Sequence, residues 1–73
     1  MTYYALDYVG YDECELVYND QLYATETEAE DALAETSNTE CFEVNWYGLR
    51  DLEEIYDGPV TIDENLQVHS QWE

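Results

Sequence analysis

One histidine, His69, and two cysteines, Cys14 and Cys41, are the side chains with which nucleophilic or transition-metal chemistry would begin. A thiolate nucleophile needs a base within hydrogen-bond reach. Neither cysteine is close to His69 in sequence, and any chain holding one of each would satisfy that description. A zinc site would need a carboxylate to complete two Cys and one His, and the Cys-x-x-Cys spacing is missing. Asp57-Gly58 and Asp63-Glu64-Asn65 lack the regular oxygen-ligand spacing of a calcium loop. No Gly-rich phosphate loop is present. The residue types therefore predict no enzyme, no cofactor and no metal site.

What they do support is electrostatic. Nineteen acidic side chains face a single base, Arg50; lysine is absent and the net charge is -18 on 73 residues. Solubility needs far less charge than this, and the self-repulsion destabilises a compact state. Such a surface is repelled by DNA, RNA and anionic lipid, which argues against direct nucleic-acid or membrane binding. It is attracted to protein clefts built to hold phosphate.

High net charge is also a signature of disorder. Here 45% of the residues are apolar and 15% aromatic, including eight Tyr and two Trp. That composition points instead to one small folded domain spanning residues 1–73, with a marginal core. No run of about 20 apolar residues is present, and the N-terminus lacks a basic region followed by an apolar one. A cytoplasmic protein with reduced cysteines is expected. A core this small, with aromatics to spare, leaves room for a homodimer.

The elements that must position the acids follow from periodicity. Residues 3–9 alternate, with Tyr4, Leu6 and Tyr8 on one face and Tyr3, Ala5, Asp7 and Val9 on the other. After a turn at Gly10-Tyr11-Asp12, residues 13–18 alternate again, with Cys14, Leu16 and Tyr18 inward and Glu13 and Glu15 outward. Asn19-Asp20 reads as a turn before a short strand at Leu22 and Tyr23. Thr25 and Glu28 form a capping box that opens a helix over about 26–36. Its apolar face is Ala29, Ala32, Leu33 and Thr36, and Ser37-Asn38-Thr39 ends it. Residues 41–47 form a strand with Phe42, Val44 and Trp46 on one face. Gly48 breaks that strand. Leu49, Leu52, Ile55 and Tyr56 mark a short helix over about 49–56, stopped by Asp57-Gly58-Pro59. Val60 and Ile62 start another strand, and Leu66, Val68, Ser70 and Trp72 alternate to the end, leaving His69 outward. The expected fold is α+β: an antiparallel sheet of four or five strands carrying one main and one short helix.

On these elements the carboxylates fall in rows. Glu28, Asp31 and Glu35 stripe the outer face of the main helix without a single Lys partner, and Asp31/Glu35 repel each other across one turn. Glu13 and Glu15 share a strand face at about 6.6–6.8 Å, a spacing of the same order as that of phosphates along a nucleic-acid strand. Asp51, Glu54 and Asp57 surround the short helix. Tyr3, Tyr11, Tyr23 and Tyr47 are expected to be partly exposed. Tyr11 and Tyr47, near these rows, are candidate anchors, since tyrosine gives contact area at low entropic cost.

A compact, lysine-free, aromatic-rich acidic chain of this size resembles the DNA-mimic inhibitors: anti-CRISPR proteins, anti-restriction proteins and uracil-DNA glycosylase inhibitors. The resemblance lies in composition and size, not in a motif. It implies an inhibitor that occupies the basic DNA-binding cleft of a bacterial defence protein, such as a CRISPR effector or a restriction enzyme. In a CRISPR effector the implied target is the cleft that reads the duplex beside the protospacer. Two other readings of the charge remain open. One is an acidic adaptor or chaperone of a basic nucleic-acid-binding protein, and the other is a domain adapted to high intracellular salt, as in haloarchaea.

Overall fold

The computed structural model describes residues 2–10, 14–36 and 39–70. In chain order the elements are β1 (Thr2–Tyr8), β2 (Leu22–Tyr23), α1 (Glu26–Glu35), β3 (Phe42–Gly48), α2 (Leu49–Ile55), β4 (Val60–Ile62) and β5 (Val68–Ser70). Short 3-10 turns occupy Tyr18–Asp20 and Thr39–Cys41. The fold is α+β, as the periodicity predicts.

The strands do not make one sheet. β2, β1 and β3 form a three-stranded antiparallel sheet with β1 in the middle, and β4 and β5 form a separate hairpin. The two meet where the Leu22 N–H donates to the Leu66 carbonyl at 2.8 Å and Gln21 bridges Gln67. Leu66 is left-handed, at φ 59°. The chain turns there after a single bridge, and the hairpin folds over the sheet instead of extending it. Its contents are then inward: Val68 is buried, and Val60, Ile62 and Leu66 pack on the core.

Both faces of β1 are covered, which accounts for its alternation of two useful faces. Ala5 joins Val17, Leu22, Leu52 and Val68 in the main core, beneath α2 and the β4–β5 hairpin. Leu6 points to the opposite face, where α1 crosses all three strands and buries Ala29. Helix α1 starts as its capping box requires. Thr25 Oγ1 accepts the Glu28 N–H at 3.2 Å, and Glu28 Oε2 accepts the Ala24 N–H at 3.2 Å. In α2, Asp51 Oδ2 accepts the Gly48 N–H at 2.9 Å. Gly48 has no side chain to return the bond, so this box has only one half.

The segment after β1 departs from the expected strand. Glu13 and Tyr11, with the turn at 10–12, lie outside the described residues in whole or part. Glu15 makes only a single bridge, to Tyr8. Cys14 and Leu16 are exposed rather than inward, Tyr18 is half-buried, and the residue that enters the core is Val17. The cause is Asp7. Its carboxylate is 1% exposed and accepts three hydrogen bonds: from the Val17 N–H at 3.1 Å, Asn45 Nδ2 at 2.5 Å and the Tyr47 hydroxyl at 2.5 Å. Binding that amide holds Val17 at φ 52°, a conformation β-branched residues avoid, and ends the extended run. Residues 37–38 and Trp72, assigned to a helix stop and to the last strand, also lie outside the described residues.

Removing the Asp7 carboxylate strands three donors, each worth about 1–3 kcal/mol when left unpaired. For a domain of this size, stable by only about 4–11 kcal/mol, Asp7→Ala is expected to cost about 3 kcal/mol or more in urea unfolding. Tyr47→Phe removes one half-buried donor and is expected to cost about 1–2 kcal/mol. A loss under about 1 kcal/mol for Asp7→Ala would mean that the network does not hold the sheet.

Candidate functional site

The described carboxylates sort by what holds them. Asp7 is buried; Asp20, Glu53 and Asp63 are half-buried; the rest are exposed. With lysine absent, neutral side chains and backbone N–H groups supply many of the hydrogen bonds to them. The Tyr56 hydroxyl donates to Asp20 Oδ1 at 2.6 Å. Asn45 donates to Asp7 and, at 3.4 Å, to Glu43. Asp7 and Glu43 are direct cross-strand partners, a placement that like charges ordinarily disfavour. The shared amide of Asn45 sits between them and offsets it. His69 Nε2 pairs with Asp63 Oδ2 at 2.9 Å, and Arg50 is exposed on α2.

Two tyrosines carry the mark of this arrangement. Burial first, then the hydrogen bond and charge of Asp7, push the Tyr47 phenol well above its ordinary value. Burial first, then the charge of Glu35, push Tyr23 up as well. Part of the high tyrosine content is thus structural: Tyr47 and Tyr56 supply hydroxyl donors where another protein would use Lys or Arg. Tyr8, Tyr18 and Phe42 form a ring cluster instead, Phe42 edge-on to both tyrosines and the two tyrosines tilted to each other, with ring centroids 4.8–6.4 Å apart.

The acid rows are real as exposed surface but do not share one face. Glu28, Asp31 and Glu35 are all exposed on α1. Asp51, Glu54 and Asp57 are exposed on and just after α2, across the sheet from α1. Glu15 is exposed but stands on an irregular segment rather than in a strand row. Tyr3, Tyr23 and Tyr47 are half-buried, and Tyr47 is committed to Asp7.

One place combines acids with exposed apolar surface. An open groove of about 580 Å³ is lined by Leu16, Trp46, Tyr47, Asp51, Glu54 and Ile55. It lies beside β3, the edge strand of its sheet, and is bounded by α2 and the irregular segment at Leu16. The Trp46 side chain is 67% exposed and Leu16 is 41% exposed. The sequence reading placed Leu16 inward and set Trp46 on one strand face with Phe42 and Val44. Trp46 pairs with Tyr4 in register, and nothing in the alternation of residues 41–47 reveals that this end of an edge strand is exposed. The groove brings Asp51, Glu54 and Tyr47 together with Trp46, Leu16 and Ile55, which sequence reasoning did not select.

Among the described residues, no cluster of His, Cys, Asp and Glu could hold a metal ion. Cys14 and Cys41 are free thiols. No helix among the described residues is long and apolar enough to cross a membrane. The chain matches no protein-family model, no curated protein and no solved structure.

Asp63 offers a test of how these carboxylates are held. The His69 hydrogen bond, followed by the Gln67 N–H, lowers its pKa below the ordinary 3.8. A lowered folded-state pKa contributes stability that is present above the unfolded value, and that stability is lost as pH falls through the folded one. Asp63→Asn should therefore be less stable than the parent at neutral pH, with the difference shrinking as pH falls below the ordinary 3.8 and through the lowered pKa. Urea midpoints measured across that range check this, and a difference that persisted in acid would refute it.

Proposed function

We propose that this protein is an inhibitor of a host DNA-binding defence protein, a CRISPR effector foremost, acting by occlusion of a basic DNA-binding cleft. The observation that carries this reading is the exposed carboxylate surface that no lysine and only one arginine interrupts. Carboxylates would stand against the Arg and Lys side chains that otherwise hold phosphates. Charge would steer association, making it fast and strongly salt-dependent.

The arrangement of the rows refines the mechanism. Because the α1 and α2 rows lie on opposite sides of the sheet, a single flat cleft would engage one of them. The α2 row has the stronger claim, because Asp51 and Glu54 line one groove, at the edge of the sheet, with exposed Trp46 and Leu16. Buried aromatics are the usual anchors of an interface, whereas solvated charge at the rim contributes little.

A panel of purified CRISPR effectors and restriction enzymes, assayed for DNA binding with and without the protein, tests this reading. At least one member should lose DNA binding and regain it on raising salt or adding cognate DNA. Against that target, Glu54→Lys should weaken inhibition about 10-fold, about 1.4 kcal/mol, and more than Glu35→Lys on α1. Stable binding to basic proteins without loss of their DNA binding would favour the adaptor reading. Unfolding of the free protein below about 1 M salt, where the screening length is about 3 Å, would favour salt adaptation.

A further inference from the structure

We propose that the groove beside β3 seats an arginine side chain of the partner protein, its guanidinium stacked on the Trp46 indole and hydrogen-bonded to Glu54. The proposal rests on the preceding reading that the partner is a basic protein, and it names the chemistry of the contact. Trp46 is 67% exposed and lines the groove at the edge of the sheet, and tryptophan is the best of the rings for a cation. Leu16 and Ile55 supply apolar wall for the three-carbon stem. Glu54 and Asp51 supply negative charge at the rim, although Asp51 Oδ2 already accepts the Gly48 N–H.

Charge complementarity selects this occupant. An apolar side chain would fill the walls but strip water from the rim carboxylates without pairing them. A nucleobase could stack on Trp46, but its phosphates would meet a chain of net charge -18. A second copy brings the same -18 and only Arg50 as its cation. Lysine would satisfy the rim, but its compact ammonium neither stacks as a plane nor forks to a carboxylate as guanidinium does. The site therefore distinguishes the two basic residues, which a surface of carboxylates alone would not.

The test uses the full chain carrying Trp72→Phe, so that Trp46 is the only indole, with poly-arginine and poly-lysine peptides of equal length as probes. The arginine peptide should bind about 3–10-fold more tightly at fixed ionic strength and perturb Trp46 fluorescence. Trp46→Leu, followed by calorimetry and checked for folding by circular dichroism, should abolish the preference and leave lysine-peptide affinity within about 2-fold. Glu54→Gln should reduce the preference, whereas Glu35→Gln should affect both peptides alike. Equal affinities, a preference that survives Trp46→Leu, or dimerisation that Trp46→Leu abolishes would each overturn the proposal. The two readings fail separately. A protein that blocks DNA binding but treats both peptides alike keeps the occlusion and loses the anchor. One with the Trp46-dependent preference that blocks no DNA binding keeps the anchor and loses the occlusion.

Discussion

Like-charge repulsion without counter-cations is the constraint to which the rest of this structure answers. A carboxylate inside or beside the fold needs donors, and Lys and Arg are not available to supply them in any number. The chain uses neutral hydroxyls, amides and backbone N–H groups instead. Asp7 is the centre of this system. Through Val17, Asn45 and Tyr47 it ties the irregular segment after β1 to β3 across the sheet. Tyr56 does the same for Asp20, joining the end of α2 to the turn before β2. The Asp63 Oδ1 atom accepts the Asn65 and Gln67 N–H groups and so closes the β4–β5 hairpin. Glu28 and Asp51 cap the two helices. The carboxylates near the backbone thus become structural pins, and charge that has no pin is left on the surface.

This division also explains how an open sheet edge is tolerated. β3 lies at the edge of its sheet, where strands invite pairing with other chains. A copy approaching that edge carries the same charge, and Glu43 stands exposed on the strand itself. Like charge on both copies opposes such pairing.

Where one element is governed by its own periodicity, the sequence was legible. The Thr25–Glu28 box and the Ala29/Leu33 face place α1 within one residue of its observed end. The breaks at Gly48 and Asp57-Gly58-Pro59 frame α2. The exposure of the α1 row follows from the same helical spacing. What could not be read depends on contacts between segments distant in sequence. Residues 14–18 alternate well enough for a strand, and only the buried Asp7 carboxylate shows why Val17, rather than Leu16, turns inward. The hairpin forms a separate sheet folded onto the core, and the chain turns into it at Leu66, whose left-handed backbone leucine gives no signal for. The groove escaped notice because three separate segments build it. Trp46 in particular has the type and spacing of a core residue.

The central claim is that the surface charge is carried at a cost to the fold and not for its benefit. The most direct measurement is the urea midpoint, in low salt, of a variant with Glu30→Gln and Glu35→Gln. Both side chains are exposed on α1, and Glu35 stands at the helix C-terminus, where negative charge is unfavourable. The account predicts a higher midpoint than the parent, with the gain shrinking as salt screens the repulsion. A lower midpoint would show that these carboxylates support the fold and would contradict the account.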